Sequence, residues 1–259
     1  MTGTTVLITG AAGRVGTQIV PHLRNRCQLR LADARGPAGP AGPAAQDADV
    51  LVGDLLSPTF AADAVAGVDA VIHLAGVPSP RGAWPTLEPA NIRMTQQVLE
   101  ASRTAGVRRV VFASSIHAAG AYVRDGKTPV DPSWPPHPCC LYGASKVAAE
   151  AVGQVYADKY RLPVACIRVG TAVSRPIRPF DLTSWVSPRD LAEIFSLAID
   201  GGPAFGIYFG VSANTRGQWL IDNARANLGY QPVDDAERFA SEVDNGVDVP
   251  LCFRPHQQR

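Results

Sequence analysis

The sequence predicts an α/β protein built on a doubly wound parallel sheet with helices on both faces. Three observations predict it. Short apolar runs alternate with segments of helical periodicity. The runs are almost continuously apolar, as strands buried on both faces must be. The first run, Thr5–Thr9, leads straight into a glycine turn, Gly10-Ala-Ala-Gly13-Arg-Val-Gly16.

In chain order the expected strands are Thr5–Thr9, Gln28–Ala32, Val50–Val52, Ala70–Leu74, Val107–Ser114, Pro163–Arg168 and Gly206–Phe209. The expected helices between and after them are Gly13–Asn25, Phe60–Val65, Pro89–Thr104, Leu141–Tyr160, Pro188–Ile199 and Asn214–Leu228. Three segments break the alternation. Gly36–Ala45 repeats Gly-Pro-Ala and reads as a surface loop, too short for a collagen helix. Asp125–Cys139 carries five prolines and reads as an irregular loop entering the next helix. Thr171–Ser187 holds Arg175-Pro176 and Arg178-Pro179, and loops at the carboxyl ends of such strands are where substrates bind.

The chain has 259 residues, 46% hydrophobic and 18% charged, with net charge +1. That describes a globular protein and gives no electrostatic case for nucleic acid or an anionic membrane. No apolar run reaches the length of a membrane span and no leader segment is read at the N-terminus, so a cytoplasmic location is expected. The five cysteines have no metal-ligand spacing and read as thiols, with no metal expected.

Each glycine of the turn has a physical use. Gly10 lets the chain turn sharply, Gly13 clears space for a pyrophosphate, and Gly16 lets the helix approach the sheet. The helix N-terminus then offers N–H groups and partial positive charge to the phosphates. The spacing is one residue longer than G-x-G-x-x-G, and a glycine turn alone also fits a purely structural role. Asp33 narrows it. It closes the second strand, twenty residues beyond Gly13, where a carboxylate accepts from an adenosine ribose and repels a 2′-phosphate. NAD is therefore expected over NADP, with Arg14 and Arg35 as the residues that could instead meet a 2′-phosphate. Asp54, after the third strand, is placed at the adenine or simply in a turn. His73-Leu-Ala-Gly76 is expected to pass beneath the cofactor by its backbone.

Tyr142 and Lys146 lie one helical turn apart on one face. A free phenol has a pKa near 10, and bringing it to neutrality requires about 4 kcal/mol of preference for phenolate. A nearby ammonium and a cationic nicotinamide both push that way. Ser115, at the end of the fifth strand, can hydrogen-bond a substrate oxygen while Tyr142 takes its proton.

These residues resemble the short-chain dehydrogenases, in their extended, epimerase-like branch. The resemblance rests on Thr9-Gly-Ala-Ala-Gly-Arg-Val-Gly16, Asp33, Asp54-Leu55, His73-Leu-Ala-Gly76, Phe112-Ala-Ser-Ser115 and Tyr142-Gly-Ala-Ser-Lys146. It implies a Rossmann core over residues 1–170, with a small substrate-binding portion, 171–259, interwoven with it. It makes Ser115, Tyr142 and Lys146 catalytic. Cofactor contacts then fall on Gly10, Gly13, Arg14, Val15, Gly16 and Asp33, on Asp54, Leu55, Leu74, Ala75, Gly76 and Asn91, and on Tyr142 and Lys146. Within the branch, Arg30-Leu-Ala-Asp33, Phe112-Ala-Ser-Ser-Ile-His117, Ser184-Trp185 and Phe209-Gly-Val-Ser-Ala-Asn214 look like uronate dehydrogenases. Those enzymes oxidise the anomeric carbon of a hexuronate to an aldarolactone with NAD. The resemblance then puts Ser79, Ser115, Ile116, His117 and Tyr142 on the sugar. Two positions depart from it. Ile116 stands where those enzymes have an asparagine, and Phe180 stands where they have the arginine that grips the carboxylate, leaving Arg175 and Arg178 as replacements. His117 also reads as a structural histidine.

The alternatives are an epimerase or dehydratase of nucleotide sugars that keeps NAD bound, and a silent nucleotide-binding protein. Ile116-His117 replaces the acidic pair of the dehydratases, and the intact serine, tyrosine and lysine argue against a silent binder. The resemblance also implies a homodimer or higher homo-oligomer, pairing through Pro89–Thr104 and Leu141–Tyr160.

Overall fold

The computed structural model describes residues 3–35 and 49–244. The Gly36–Ala45 loop and Cys252 lie outside the described residues. The strands are β1 (Thr5–Thr9), β2 (Gln28–Asp33), β3 (Asp49–Val52), β4 (Ala70–His73), β5 (Arg109–Ser115), β6 (Val164–Val169), the short β7 (Thr171–Ala172) and β8 (Trp185–Val186), and β9 (Phe205–Gly210). Seven of them form one sheet in the order β3-β2-β1-β4-β5-β6-β9, every pairing parallel. This is the Rossmann-like doubly wound sheet that the sequence predicts. The chain leaves β1 in one direction and returns to β4 on the other side, so a crevice opens beyond the carboxyl ends of β1 and β4.

The helices are α1 (Arg14–Leu23), α2 (Pro58–Val65), α3 (Trp84–Leu87), α4 (Met94–Thr104), α5 (Ala121–Arg124), α6 (Leu141–Tyr160), α7 (Asp181–Ser184), α8 (Pro188–Asp200) and α9 (Asp222–Leu228). Successive residues of β1 show why two layers form. Val6 and Ile8 pack with Ile19, Val20 and Leu23 of α1 and with Leu191, Ile194 and Phe195 of α8. Leu7 points the other way, among Ala61 and Val65 of α2, Val98 and Leu99 of α4, and Ala149 and Tyr156 of α6. A period of two on a strand covered on both sides leaves no polar face.

Local chemistry sets the element ends. Ser57 Oγ accepts from Phe60 N, so α2 begins at Pro58, two residues before the sequence placed it. The expected Pro89–Thr104 helix is α4 preceded by a wide turn at Glu88–Arg93, where Pro89 lacks an N–H for a regular ladder. The expected Asn214–Leu228 helix survives only as α9. Gly217 N bonds back to Asn214 O, and Val130 N and O pair with Gln218 O and Leu220 N, so 214–221 is committed to a turn and a bridge to the proline-rich loop. Residues from 171 onward return to the same sheet through β9, while Leu182, Trp185, Ala236 and Val243 form a small satellite cluster.

One buried ion pair ties α6 to the sheet. Arg168 of β6 donates through Nε and Nη2 to Glu150 of α6, at 2.9 and 2.8 Å, and the Ser114 hydroxyl of β5 donates to the same carboxylate at 2.5 Å. Removing the carboxylate leaves a buried guanidinium without its counter-charge. Glu150→Ala is expected to lower the unfolding free energy by about 3–5 kcal/mol in urea titrations. A Glu150→Leu, Arg168→Met double variant is expected to recover most of that loss, because neither charge then remains buried.

Candidate functional site

A cavity of about 1040 Å³ fills the crevice at the switch between β1 and β4. The glycine turn forms its floor at one end. Gly10 has φ +68°, and a Cβ there would come within 2.6 Å of Ala75 N, so only glycine lets the turn lie against the loop after β4. A Cβ on Gly13 would meet only Gly10 O, at 3.0 Å, and would otherwise stand in the cavity. Gly13 also caps α1 without any side-chain hydrogen bond, leaving the first N–H groups of the helix to a ligand. These features fit a dinucleotide pyrophosphate.

Asp33 lines the same end. Its Oδ2 accepts from Ala12 N at 2.9 Å and its Oδ1 from Arg35 N at 3.0 Å, so the carboxylate is held against the turn. The exposed Arg35 guanidinium lies 3.5 Å from it and also lines the cavity. Asp54 accepts from Leu56 N at 2.9 Å, the turn geometry that the sequence left open, and still lines the cavity with Leu55. Arg14, Val15 and Gly16 complete this end, and Leu74, Ala75 and Gly76 form the adjoining wall.

Behind that wall runs a hydrogen-bond chain that the sequence did not reveal. Thr95 donates to Asn91 O at 2.9 Å, so its oxygen receives the Nε2 proton of His73 at 3.2 Å. His73 Nδ1 then accepts from the Thr9 hydroxyl at 2.7 Å, and Thr9 Oγ1 accepts from Ala75 N at 3.4 Å. Burial, with a smaller push from Lys146, lowers His73 to about 3, so it is a neutral strut rather than a base. Asn91 is fully buried and lies outside the cavity lining. It accepts from Val77 N at 2.8 Å and donates to Ser145 Oγ at 3.0 Å, bridging the β4 loop and α6.

At the other end Ser115, Tyr142 and Lys146 converge on the cavity. Ser115 ends β5, and its Oγ accepts from His117 N at 3.3 Å. Lys146 Nζ donates to Ala113 O at 2.9 Å and lies 5.9 Å from the centre of the Tyr142 ring. Burial lowers its ammonium to about 8, against an upward pull from Glu150. Ile116, His117 and Ser79 also line this end. The His117 ring stands edge-on to Tyr142, with centroids 5.4 Å apart. Its Nδ1 lies 3.2 Å from Cys139 Sγ and 3.5 Å from Cys140 Sγ, a grouping that sequence spacing hides because the histidine is 22 residues upstream.

The two expected arginines separate. Arg178 lines the cavity together with Phe180, but its Nη2 is 2.7 Å from the fully buried Asp181. Arg175 does not line it: its Nη2 pairs with Glu242 at 2.6 Å and its guanidinium covers the Phe239 ring, so the satellite cluster draws it away. Arg81, which no motif singles out, lines the cavity two residues beyond Ser79. Its position on a loop after a strand's carboxyl end was the available signal.

Lys146 gives a pH signature without any ligand. Below pH 8 it is charged in both folded and unfolded chains. Between about 8 and about 10.5 only the unfolded chain keeps the proton, so stability rises with pH. Across that window the wild type is expected to gain about 3 kcal/mol relative to Lys146→Met in urea unfolding. A constant difference contradicts the burial of the ammonium.

Residues 6–184 match the model of the NAD dependent epimerase/dehydratase family. The chain is 37% identical over 251 residues to an NAD-dependent glucose-6-phosphate dehydrogenase of Haloferax volcanii, covering 92% of this chain and 96% of that protein. It is 35% identical to a uronate dehydrogenase of Pseudomonas putida, covering 92% and 87%. A crystal structure of a point mutant of uronate dehydrogenase from Agrobacterium tumefaciens complexed with NAD superposes with a TM-score of 0.82 at 31% identity, covering 94% and 89%. The chain belongs to the NAD dependent epimerase/dehydratase family, whose cofactor is the one the glycine turn and Asp33 predict.

Proposed function

We propose that this protein is an NAD-dependent sugar dehydrogenase that oxidises the anomeric carbon of an aldohexose bearing an anionic group at carbon 6, a hexuronate going to its aldarolactone. The observation that carries the reading is the meeting of Ser115, Tyr142 and Lys146 in the cavity whose far end holds the glycine turn and Asp33. The sugar class is supported by the relatives, which include uronate dehydrogenases. The glucose-6-phosphate dehydrogenase, matched over nearly its whole length, favours a second reading in which the anion is a phosphate.

In this reading Gly10, Gly13, Gly16, Arg14 and Val15 hold the pyrophosphate at the α1 N-terminus, and Asp33 accepts from the adenosine ribose. Asp54 and Leu55 border the adenine. Leu74, Ala75 and Gly76 form the wall beneath the cofactor, stiffened by Asn91. Bound NAD supplies the acceptor for hydride from the sugar carbon. Lys146 holds the nicotinamide ribose, and its charge favours the phenolate of Tyr142. Tyr142 takes the proton of the anomeric hydroxyl, while Ser115 donates a hydrogen bond to the same oxygen. Ser79, Ile116 and His117 contact the sugar. Arg81 and Arg178 face its anion, the latter with its charge shared by Asp181.

By the same reading residues 1–170 are the cofactor-binding core and 171–259 supply the substrate-binding portion. Among the described residues no helix is long and apolar enough to cross a membrane. We place the protein in the cytoplasm as a homodimer or higher homo-oligomer. The exposed Leu141, Val155 and Tyr160 on α6 support that helix as the pairing surface.

The test is a panel of aldohexuronates and aldose 6-phosphates offered with NAD or NADP, followed by the absorbance of reduced cofactor. Turnover is expected with at least one acidic sugar, faster with NAD, and Tyr142→Phe is expected to lower kcat at least ~100-fold. No reduction across the panel overturns the reading. Sugar interconversion with retained NAD and no net reduction assigns the epimerase reading instead.

A further inference from the structure

We propose that His117, Cys139 and Cys140 form a binding site for one thiophilic metal ion of the Zn²⁺ class beside the substrate end of the cavity. Nδ1 of His117 and the two Sγ atoms all lie within 4.8 Å of one another. A tetrahedral zinc, with Zn–N about 2.0–2.1 Å and Zn–S about 2.3 Å, sets a nitrogen and a sulfur about 3.6 Å apart. The two nitrogen–sulfur separations here are 3.2 and 3.5 Å. Nδ1 carries either one proton or one lone pair, so it serves one of the two sulfurs at a time, whereas a metal ion engages all three atoms.

The surrounding backbone holds the group in place. Cys139 N donates to His117 O at 3.2 Å, tying the end of the proline-rich loop to the segment after β5. Gly143 N donates to Cys140 Sγ at 3.4 Å, so that sulfur caps the 20-residue α6, where negative charge is stabilised. Gly143 has no Cβ to push the His117 backbone away, and a Cβ there would collide with His117 O. All three ligand residues are half-buried, within reach of ions from solvent. As the metal binds, the two thiols release their protons to water.

Three protein ligands leave a fourth position open. His117 and Cys140 both line the cavity, and the His117 ring stands against Tyr142, so the site borders the space assigned to the sugar. Occupancy takes up His117, which the proposed function places on the sugar, and so makes the site inhibitory.

The full-length protein titrated with Co²⁺ tests the site directly. One equivalent per chain is expected to give a near-ultraviolet thiolate-to-cobalt band with the visible bands of tetrahedral cobalt, all removed stoichiometrically by Zn²⁺. Cys139→Ser and Cys140→Ser are each expected to weaken cobalt binding at least tenfold, and Cys27→Ser to leave it unchanged. Zn²⁺ is expected to suppress turnover in the wild type but not in Cys139→Ser. Absence of the thiolate band at one equivalent, or its persistence in Cys139→Ser, overturns the proposal. The cobalt spectrum needs no turnover, so it decides the site even where the dehydrogenase assay fails.

Discussion

The carboxylate of Glu150 meets the guanidinium of Arg168 in the interior, where the two side chains are 3% and 1% exposed. The pair joins three elements that the chemistry requires in fixed relation. Glu150 sits one helical turn beyond Lys146 and two beyond Tyr142 on α6. Ser114, which donates to the same carboxylate, is the neighbour of Ser115. Arg168 lies directly opposite Ser114 in the β5–β6 register and opposite Phe209 in the β6–β9 register. A sliding or rolling of α6 would separate the carboxylate from both donors at once. Low-dielectric surroundings make that separation costly, so the pair fixes geometry more than it adds net stability.

A neutral chain does the corresponding work on the opposite wall. From Ala75 N through Thr9, His73 and Thr95 to Asn91 O, every hydroxyl and ring nitrogen has a direction set by its neighbour. Burial keeps the imidazole uncharged, so the chain holds one polarity throughout the ordinary pH range. The Asn91 side chain then links this wall to α6 through Ser145. The neutral chain thus braces one wall of the cavity, and the buried ion pair holds to the sheet the helix that carries Tyr142 and Lys146.

What the sequence made legible follows from locality. The glycine turn, Asp33, Tyr142 and Lys146 lie on single elements, so spacing alone reveals their shared purpose. Strand positions were equally readable, because a doubly covered sheet forces continuous apolar runs. Glu150 and Arg168 were not readable: each looks like an ordinary surface charge until β6 and α6 are brought together. The grouping of His117 with Cys139 and Cys140 is hidden for the same reason, since loop closure rather than spacing creates it. The helix expected over Asn214–Leu228 fails in its first half because tertiary pairing with Val130 outweighs local propensity. Arg175 and Arg178 look interchangeable in sequence, yet Glu242 and Phe239 draw one of them out of the cavity.

In the proposed function a hydride leaves the anomeric carbon of a sugar within this cavity. The most direct measurement uses a hexuronate and an aldose 6-phosphate, each deuterated at carbon 1, incubated with the protein and NAD, and the reduced cofactor analysed by mass spectrometry. Reduced cofactor carrying one deuterium is expected, with turnover slowed relative to the unlabelled sugar. Reduced cofactor without deuterium would contradict the proposed function, because the hydride would then come from another carbon.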